Sequence, residues 1–391
     1  MNIEEKFSKT MSNPNYINNI KEQKPSYGAH DSTLVFIVFF LIIIGFLAIF
    51  SAGAPKCTMQ NLPPTFFVFR QLQWFVLGCV FMFGIRNIPY KIIDKFAIPI
   101  AWVIVGLLIC VELFGNTVNG ATRWLSFGPI NFQPSEIAKL GVVALLASAF
   151  SKSMNIKDGR LWKNYFLPII IMILLILKQP NLSMVMILSI SSLYMYFAAG
   201  GCIRLIATVI GCGIAALPFV IQGYQKERVD MWLHPDKDPF GAGYNIIQAM
   251  MAFVAGGFFG VGYGNSMQKL GWLPEGHTDF IFAVFAEEFG FLGCLLIIGL
   301  FVAFLQRGLI ISARCEDVFG KLLAAGITVS ITIQAMINMC VASSLIPATG
   351  VPLPFISYGG TSLFMTMCMV GVLLNISRKQ IKRFPNVKQQ Q

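Results

Sequence analysis

The sequence predicts an all-α, polytopic membrane protein of about ten transmembrane helices. Of its 391 residues, 56% are hydrophobic and only 12% are charged, which is about half the charged share of an average soluble domain. Long apolar stretches recur along the chain, and a spanning helix needs about 20 mostly apolar residues. We predict spans near residues 33–53, 66–85, 97–115, 134–151, 165–180, 182–199, 203–222, 279–304, 320–345 and 356–376.

The basic residues indicate how the chain is oriented in the membrane. Most of the 29 Lys and Arg residues fall in segments that are cytoplasmic if the N-terminus is cytoplasmic, as the positive-inside rule requires. We therefore expect a flexible cytoplasmic tail over 1–31, a transmembrane domain over 32–376 and a basic cytoplasmic tail over 377–391. The net charge of +11 then reflects topology rather than nucleic-acid binding, and no secretory signal peptide precedes the first span.

Cysteine and histidine give no indication of a metal centre. The nine cysteines are scattered without a C-x-x-C pair, and the three histidines do not cluster. This spacing does not match that of a structural zinc site, so we predict no metal site in the protein itself.

Two connections on the outer side stand out by length. The first covers 116–133, and the second covers 222–278, between the seventh and eighth predicted helices. A long connection in a compact domain is usually functional. The middle of the second, 246–259, is apolar but only 14 residues long, which favours an interfacial or re-entrant segment over a span.

Asp279 is the leading candidate for a catalytic group. It opens the eighth predicted span directly below the long outer connection, and an ionisable residue at such a depth is costly and tends to be functional. Partial burial would raise its pKa and make it a usable general base. The alternative is a helix N-cap or a first-turn acid. For Glu287 and Glu288, two turns further on, we favour a structural hydrogen-bond network.

For other polar and aromatic residues on the outer side, a functional and a structural role are both open. Glu136 and Lys139 share a helix face at i, i+3, so Lys139 either meets an anionic substrate or simply pairs with Glu136. Arg123 and Trp124 combine a phosphate-binding group with a ring on which a sugar can stack, although Trp is also a common interfacial anchor.

The long outer connection carries further cations and a weak motif. Arg228 and Lys269 are candidates for a phosphate contact among mixed charges. Ser266 and Lys269 also match S-x-x-K, but the companion motifs of that nucleophile site are absent, and we discount it.

Residues 347–362, PATGVPLPFISYGGTS, lead into the last span with broken backbone, and Ser357 and Tyr358 supply hydroxyl groups. Such backbone occurs at membrane depth only where it is buried in protein or lines a cavity. A substrate groove and a helix-packing role are both open from the sequence.

Four blocks, taken together, resemble the SEDS family of shape, elongation, division and sporulation proteins. The resemblance covers nearly the whole chain after residue 33, and is closer to the division and sporulation branch than to the elongation branch. The blocks are NGATRWLSFGPINFQPSEIAKL (119–140), DPFGAGYNIIQ (238–248), QKLGWLPEGHTDFIFAVFAEEFG (268–290) and PATGVPLPFISYGGTS (347–362).

The resemblance implies a peptidoglycan glycosyltransferase that polymerises lipid II, the undecaprenyl-pyrophosphate-linked disaccharide-pentapeptide. It implies that Asp279 is the essential acidic residue and that Trp124 is functionally important. Glu275 and His277, from the same block as Asp279, are expected to help bind substrate. One departure is KQPNLSM, in which Asn181 stands where the family usually has aspartate. Lys178, just upstream, would then lack that aspartate as a partner.

The implied reaction leaves its charge balance and partners open. The leaving pyrophosphate needs cations, drawn from Arg123, Lys139, Arg228 and Lys269 or from a divalent cation. The resemblance also implies a class B penicillin-binding protein as partner, with other proteins of a division or elongation complex. The alternatives are a transporter that flips lipid II and a scaffold without chemistry.

Overall fold

The computed structural model describes residues 30–118, 121–127, 130–152, 159–220, 224–241 and 243–378. The two predicted tails lie almost wholly outside these ranges. Within them lie twelve α-helices of ten or more residues. The helices are α1 Ser32–Met59, α2 Phe66–Ile85, α3 Lys91–Phe114, α4 Pro134–Lys152, α5 Leu167–Lys178, α6 Leu182–Ala198, α7 Ile203–Val220, α8 Tyr224–Leu233, α9 Tyr244–Gly256, α10 Ile281–Arg314, α11 Val318–Ala342 and α12 Gly360–Arg378.

Every predicted span coincides with one of these helices, which confirms the all-α membrane fold. Seven helices of the described chain, namely α1 to α4 and α10 to α12, are long and apolar enough to cross a membrane. The helices α5, α6 and α7 lie at the three other predicted spans. The total of ten stays a prediction.

Short polar side chains fix where several helices begin. The carboxylate of Asp31 accepts a hydrogen bond from Leu34 N at the start of α1, and that of Asp317 accepts one from Gly320 N at the start of α11. These N-caps satisfy backbone donors that have no partner within the helix. The residue before a predicted span thus sets the first turn of each helix.

The helices form a bundle with a buried centre. Helices α4, α11 and α12 are buried along most of their length, whereas α2 and α3 turn large apolar side chains outward. Small residues allow the central helices to approach closely: a methyl group on Gly326 would lie 2.6 Å from Val143 Cγ1. The outward apolar faces of α2 and α3 are those expected to contact lipid.

A small antiparallel sheet follows α3, within the connection predicted as an outer loop. It consists of β1 Asn116–Val118, β2 Ala121–Phe127 and β3 Ile130–Phe132, in that order. Thr117 pairs with Thr122 and Ser126 with Asn131. Because successive side chains of a strand point to opposite faces, Arg123 and Trp124 of β2 lie on opposite faces of the sheet.

The long outer segment folds back into the bundle. Helix α9 occupies its apolar middle and ends at Gly256, whose backbone packs on α10: a methyl group there would lie 2.1 Å from Ala286 O. The chain then turns at Gly257 and donates hydrogen bonds from Val261 N to Glu287 O (3.0 Å) and from Gly262 N to Glu288 O (3.0 Å).

Helix α10 is broken where this segment joins it. Gly290 has φ 64° and ψ −163° inside the helix, a backbone region that essentially only glycine occupies. A methyl group on Gly290 would lie 2.4 Å from Gly260 N, and Phe291 N donates to Gly257 O at 3.0 Å. The returning segment therefore replaces hydrogen bonds that the break in α10 removes.

Residues 347–359 enter the bundle as irregular backbone between α11 and α12. A methyl group on Gly45, near the middle of α1, would lie 2.5 Å from Phe355 O, so this loop packs directly on the α1 backbone. Several of its carbonyl groups accept hydrogen bonds from side chains of α2 and α11. We call residues 347–359 the re-entrant loop.

Candidate functional site

Asp279 lies two residues before α10, in a compact turn. Phe280 N donates to Glu275 O (3.1 Å), and Thr278 Oγ1 donates to Glu275 Oε2 (2.7 Å). The N-cap position of α10 is Phe280, so the N-cap role considered for Asp279 is wrong. The turn instead presents the Asp279 carboxyl group next to the re-entrant loop.

Hydrogen bonds from three elements fix the backbone around Asp279. Asn338 Nδ2, on α11, donates both to Asp279 O (2.8 Å) and to Val351 O (2.7 Å). Ser357 Oγ donates to Thr278 O (2.6 Å), and Tyr358 N donates to His277 O (3.1 Å). The turn and the re-entrant loop are therefore positioned by the same groups.

Two arginines face the Asp279 carboxyl group. A methyl group on Gly350 would lie 3.5 Å from Asp279 Oδ2 and 3.6 Å from Arg123 Nη1, so both groups border one small space. Arg228 Nη1 donates to Ala348 O (3.0 Å) in the same loop. Arg123 Nε donates to Gln179 O (3.3 Å) and Arg123 Nη2 donates to Pro180 O. Arg123 and Arg228, predicted from charge alone, thus converge on Asp279.

Burial and neighbouring charge shift the pKa of Asp279. The pKa of Asp279 is raised to about 6: burial is the largest cause, the negative charge of Glu275 adds to it, and the positive charges of Arg228 and Arg123 oppose the increase. A carboxyl group with this pKa is ionised at neutral pH and still basic enough to accept a proton. Desolvation is the larger effect, as predicted from the position of the residue.

His277 forms part of an aromatic cluster rather than an open contact surface. Its ring centroid lies 4.7 Å from that of Phe67 and 5.9 Å from that of Tyr358. The pKa of His277 is lowered to about 4, mainly by burial and in addition by the positive charge of Lys56. His277 is therefore neutral at pH 7 and packs between α2 and the re-entrant loop.

Glu136 and Lys139 pair with each other, and neither is open to a substrate in this structure. The carboxylate of Glu136 lies 2.7 Å from Lys139 Nζ, and both side chains are 1% exposed. Lys139 also donates to Gln334 Oε1, and Gln334 Nε2 donates to Pro352 O at 2.9 Å. The predicted substrate contact of Lys139 is corrected to an internal ion pair that is linked to the re-entrant loop.

Lys269 is also enclosed. Its Nζ lies 2.9 Å from Glu288 Oε1 and 2.8 Å from Ser51 Oγ, and the Lys269 side chain is only 7% exposed. Glu287 accepts hydrogen bonds from Ser266 Oγ and from Met267 N (2.9 Å). The structural network predicted for the two glutamates is present, and the same burial argues against direct phosphate binding by Lys269.

The remaining predicted substrate residues divide by position. Ser357 is 4% exposed; its hydroxyl group accepts from Leu353 N within the loop and donates to Thr278 O, so it positions backbone. Tyr358 is half-buried beside His277, and Glu275 is half-buried beside Asp279. Trp124 is half-buried on the face of the sheet opposite Arg123. A sugar stacked on Trp124 would therefore lie on the other side of β2 from the carboxyl group.

Two functional positions were missed in the sequence, namely Asn338 and Gln334. They lie four residues apart on α11, so they share one helix face, and both are buried. Paired amides inside an otherwise apolar span are a signal for a polar contact within the bundle. The sequence shows these two amides, but it does not show which groups they contact in the fold.

Asn181 has a structural role that does not need a carboxylate. Its Oδ1 accepts a hydrogen bond from Met184 N (3.3 Å) at the start of α6, which is a cap that Asn and Asp provide about equally well. Lys178 pairs elsewhere, because Lys178 Nζ lies 2.9 Å from Glu112 Oε1. The departure from the family pattern is thus accommodated locally.

Within the described residues, no group of three or more His, Cys, Asp or Glu side chains is arranged to hold a metal ion. The positive charge that faces Asp279 comes from arginine side chains of this chain. A divalent cation that enters with a substrate stays a prediction.

Comparison with known proteins agrees with this architecture. The FtsW/RodA/SpoVE family, described as cell cycle proteins, matches residues 32–382. A relative from Trichlorobacter lovleyi, described as a probable peptidoglycan glycosyltransferase FtsW, is 39% identical over 89% of this chain and 93% of its own length.

Two solved structures are similar to this protein over most of its length. A chain from "Structural coordination of polymerization and crosslinking by a peptidoglycan synthase complex" matches with a TM-score of 0.75 and 29% identity, over 90% of this chain and 99% of that chain. The rod shape determining protein RodA of Thermus thermophilus matches with a TM-score of 0.68 and 27% identity, over 90% and 98%.

Fold, site and relatives together define a multi-pass membrane glycosyltransferase. The chain belongs to the FtsW/RodA/SpoVE family, which is the SEDS family that its four sequence blocks resemble. Its place is the bacterial inner membrane, as predicted.

Proposed function

We propose that this peptidoglycan glycosyltransferase polymerises lipid II into glycan strands at the outer face of the cytoplasmic membrane. The observation that supports this most directly is the Asp279 carboxyl group, which is half-buried, raised in pKa and flanked by Arg123 and Arg228. A base beside two cations suits a reaction that removes a proton and releases a pyrophosphate.

The proposed step joins two lipid-linked disaccharides. The 4-hydroxyl group of the acceptor GlcNAc gives its proton to Asp279 while its oxygen attacks C1 of the donor MurNAc. The C1–O bond to pyrophosphate breaks, and undecaprenyl pyrophosphate leaves with the bonding electrons. Attack opposite the α-linked leaving group gives a β linkage. Asp279 later returns the proton to solvent.

Arg123 and Arg228 are assigned to the leaving pyrophosphate. Both lower the pKa of Asp279 by their positive charge, so they are close enough to stabilise an anion beside it. Guanidinium groups match phosphate oxygens in geometry. A divalent cation could add to this charge, and Trp124 is the candidate for sugar stacking beyond the sheet.

The other predicted residues are assigned to positioning. Glu275 sets the charge next to Asp279, and His277, Ser357 and Tyr358 fix the backbone of the turn. Glu136, Lys139 and Lys269 stabilise the surrounding elements through buried ion pairs. Loss of these groups should therefore act through the placement of Asp279.

An apolar cavity of about 430 Å³ suits the polyprenyl tail. It lies between α9, α10 and α11 and includes Phe282, Met336 and Met339 in its lining. Phe282 follows Asp279 by three residues, and Met339 adjoins Asn338. A tail in this cavity would keep the pyrophosphate at the level of Asp279, because polyprenyl chains partition into apolar surroundings.

We further propose a class B penicillin-binding protein as partner, together with a division or elongation complex. The structural match to a chain of a complex that couples polymerization and crosslinking supports the partnership. The similarity to FtsW supports a role in cell division. Crosslinking would then come from the partner.

The test is the formation of glycan from lipid II. Purified protein, with the penicillin-binding protein if required, is given fluorescent lipid II in the presence of moenomycin. Glycan ladders that persist are the expected result. Transport of lipid II across proteoliposomes without any ladder, and equally with Asp279→Asn, would instead support the flippase.

A further inference from the structure

Within the described residues, two cations on helices that pack near the Asp279 turn have no carboxylate within ion-pair distance. Lys56 lies in the last turn of α1, and Arg70 lies in the second turn of α2. Both are half-buried, and within the described residues no carboxylate lies within 4 Å of either. By contrast, Lys178, Lys237 and Lys269 each have one within 3 Å.

Residues one turn away from each cation pack against the segment that leads into Asp279 or against the residues that contact it. Phe67, one turn before Arg70, packs on His277 with 4.7 Å between ring centroids. A methyl group on Gly53, one turn before Lys56, would lie 2.9 Å from Phe67 Cδ2. Met59, one turn after Lys56, contacts Gly271: a methyl group there would lie 3.2 Å from Met59 Cε.

The same region is tied to the re-entrant loop. Gln71, the neighbour of Arg70, donates from Nε2 to Ser357 O (3.2 Å) and accepts from Gly359 N (3.2 Å). The charge of Lys56 reaches His277, two residues before Asp279. The end of α1, with Lys56, and the start of α2, with Arg70, thus both pack against the segment that leads into Asp279.

The chemistry of the proposed reaction calls for two anion sites. Both substrates are lipid-linked, so each carries a pyrophosphate. The donor pyrophosphate is bonded to the carbon under attack and must lie beside Asp279. The acceptor pyrophosphate is not released, and it lies a disaccharide away from the hydroxyl group that reacts.

We propose that Lys56 and Arg70 bind the pyrophosphate of the acceptor lipid, while Arg123 and Arg228 face that of the donor. This assignment rests on the proposed function. Neither cation has to leave an ion pair in order to bind, whereas Lys269 would have to leave Glu288. The simpler roles are a charge at the C-terminus of α1 and the contact of Arg70 with Phe66, 5.1 Å from the ring centroid.

The test separates the two substrates. Lipid II capped on its 4-hydroxyl group serves only as donor, and a phosphonate analogue with CH₂ in place of the anomeric oxygen serves only as acceptor. Each KM is measured at saturating concentration of the other lipid, with the full chain and its partner protein. One glycosidic bond forms per turnover, so the product has a defined length.

Lys56→Gln and Arg70→Gln should each raise the acceptor KM about tenfold, the effect of one lost charged hydrogen bond, and leave the donor KM within about twofold. Lys56→Arg should restore the acceptor KM. Arg228→Gln should instead raise the donor KM and leave the acceptor KM nearly unchanged. Lys226→Gln, which removes an exposed charge from the neighbouring α8, is the matched control and should change neither constant.

Equal changes in both constants, a change in the donor KM alone or no change would overturn the assignment. A thermal unfolding midpoint equal to that of the wild type shows that a variant is folded, and Lys56→Arg tests the charge separately from the fold. No product from the wild-type protein would overturn the proposed function itself, so the two failures are distinguishable.

Discussion

At the scale of single residues, the properties of Asp279 arise from a few opposing charges. Burial and Glu275 raise its pKa, whereas Arg228 and Arg123 lower it. The same arginines are the groups assigned to the leaving pyrophosphate. Each of these neighbours can therefore be tested through the pH dependence of the reaction, separately from any effect on binding.

The first prediction concerns pH. A general base must be ionised, so kcat/KM should fall as the pH drops through about 6, by about tenfold per pH unit below that value. Glu275→Gln removes a negative charge and should shift this acid limb to lower pH. Arg228→Gln removes a positive charge and should shift it to higher pH. An acid limb that moves in the same direction in both variants would contradict the assignment.

The sequence indicates the candidate residues whose position or charge alone singles them out. The depth of Asp279 and the charge of Arg123 and Arg228 were visible in the chain. The contacts of Lys139 and Lys269 were not, because Gln334 lies 195 residues from Lys139 and Ser51 lies 218 residues from Lys269. Whether a charged side chain can bind a substrate is known only once its partners in the fold are known.

At the scale of elements, the break in α10 joins the outer segment to the bundle. Gly290→Ala should destabilise the protein by about 1–3 kcal/mol, because alanine is strained in this backbone region and its Cβ would lie 2.4 Å from Gly260 N. The measurement is thermal unfolding in detergent.

The matched control is Gly299→Ala, in the regular part of the same helix, where an added methyl group meets nothing within 4 Å. It should be neutral or stabilising by up to about 1 kcal/mol. Equal effects of the two substitutions would show that the break in α10 is not required.

A second element-level prediction concerns Asn338, which holds the turn and the re-entrant loop together. Asn338→Leu leaves the carbonyl groups of Asp279 and Val351 without their donor. A small displacement of a catalytic group costs up to about 100-fold in rate, so kcat should fall by 10- to 100-fold with a smaller change in KM.

Thr332→Val on the same helix is the control, because the Thr332 hydroxyl group bonds only within α11, to Thr328 O at 2.9 Å. It should leave kcat nearly unchanged. An Asn338→Leu protein with the kcat of the wild type would remove this residue from the positioning of Asp279.

The sequence predicts the long helices well, but it does not predict the small sheet or the break in α10. Hydropathy located every predicted span, because each is a long apolar run. The small sheet was missed, since two of its strands have three residues each and show no alternating pattern. The break at Gly290 was also hidden, because the residues on both sides of it continue the apolar run and its backbone donors come from a distant segment.

At the scale of the whole molecule, the predicted orientation of the bundle would place Asp279 on the outer side. A fluorescent protein fused after Arg378 should fluoresce, because it would fold in the cytoplasm. Alkaline phosphatase inserted after Lys237 should be active, because it would lie outside. The opposite pattern for both fusions would invert the topology and place the site on the wrong side for the proposed reaction.

The whole-molecule arrangement also links lipid and sugar chemistry. The apolar cavity beside Phe282 and the cationic groups around Asp279 lie at successive levels of one bundle. A lipid-linked sugar can thus keep its tail among apolar side chains and its pyrophosphate among arginines. This explains why a sugar polymerase is built as a membrane protein.

The most direct test of the account replaces Asp279 with asparagine, which keeps the shape of the side chain but cannot serve as the base. Glycan ladders from lipid II should decrease by at least about 100-fold, the usual contribution of a general base, while the unfolding midpoint and lipid II binding are retained. Ladders within a few-fold of the wild-type rate from a folded Asp279→Asn protein would contradict the central claim.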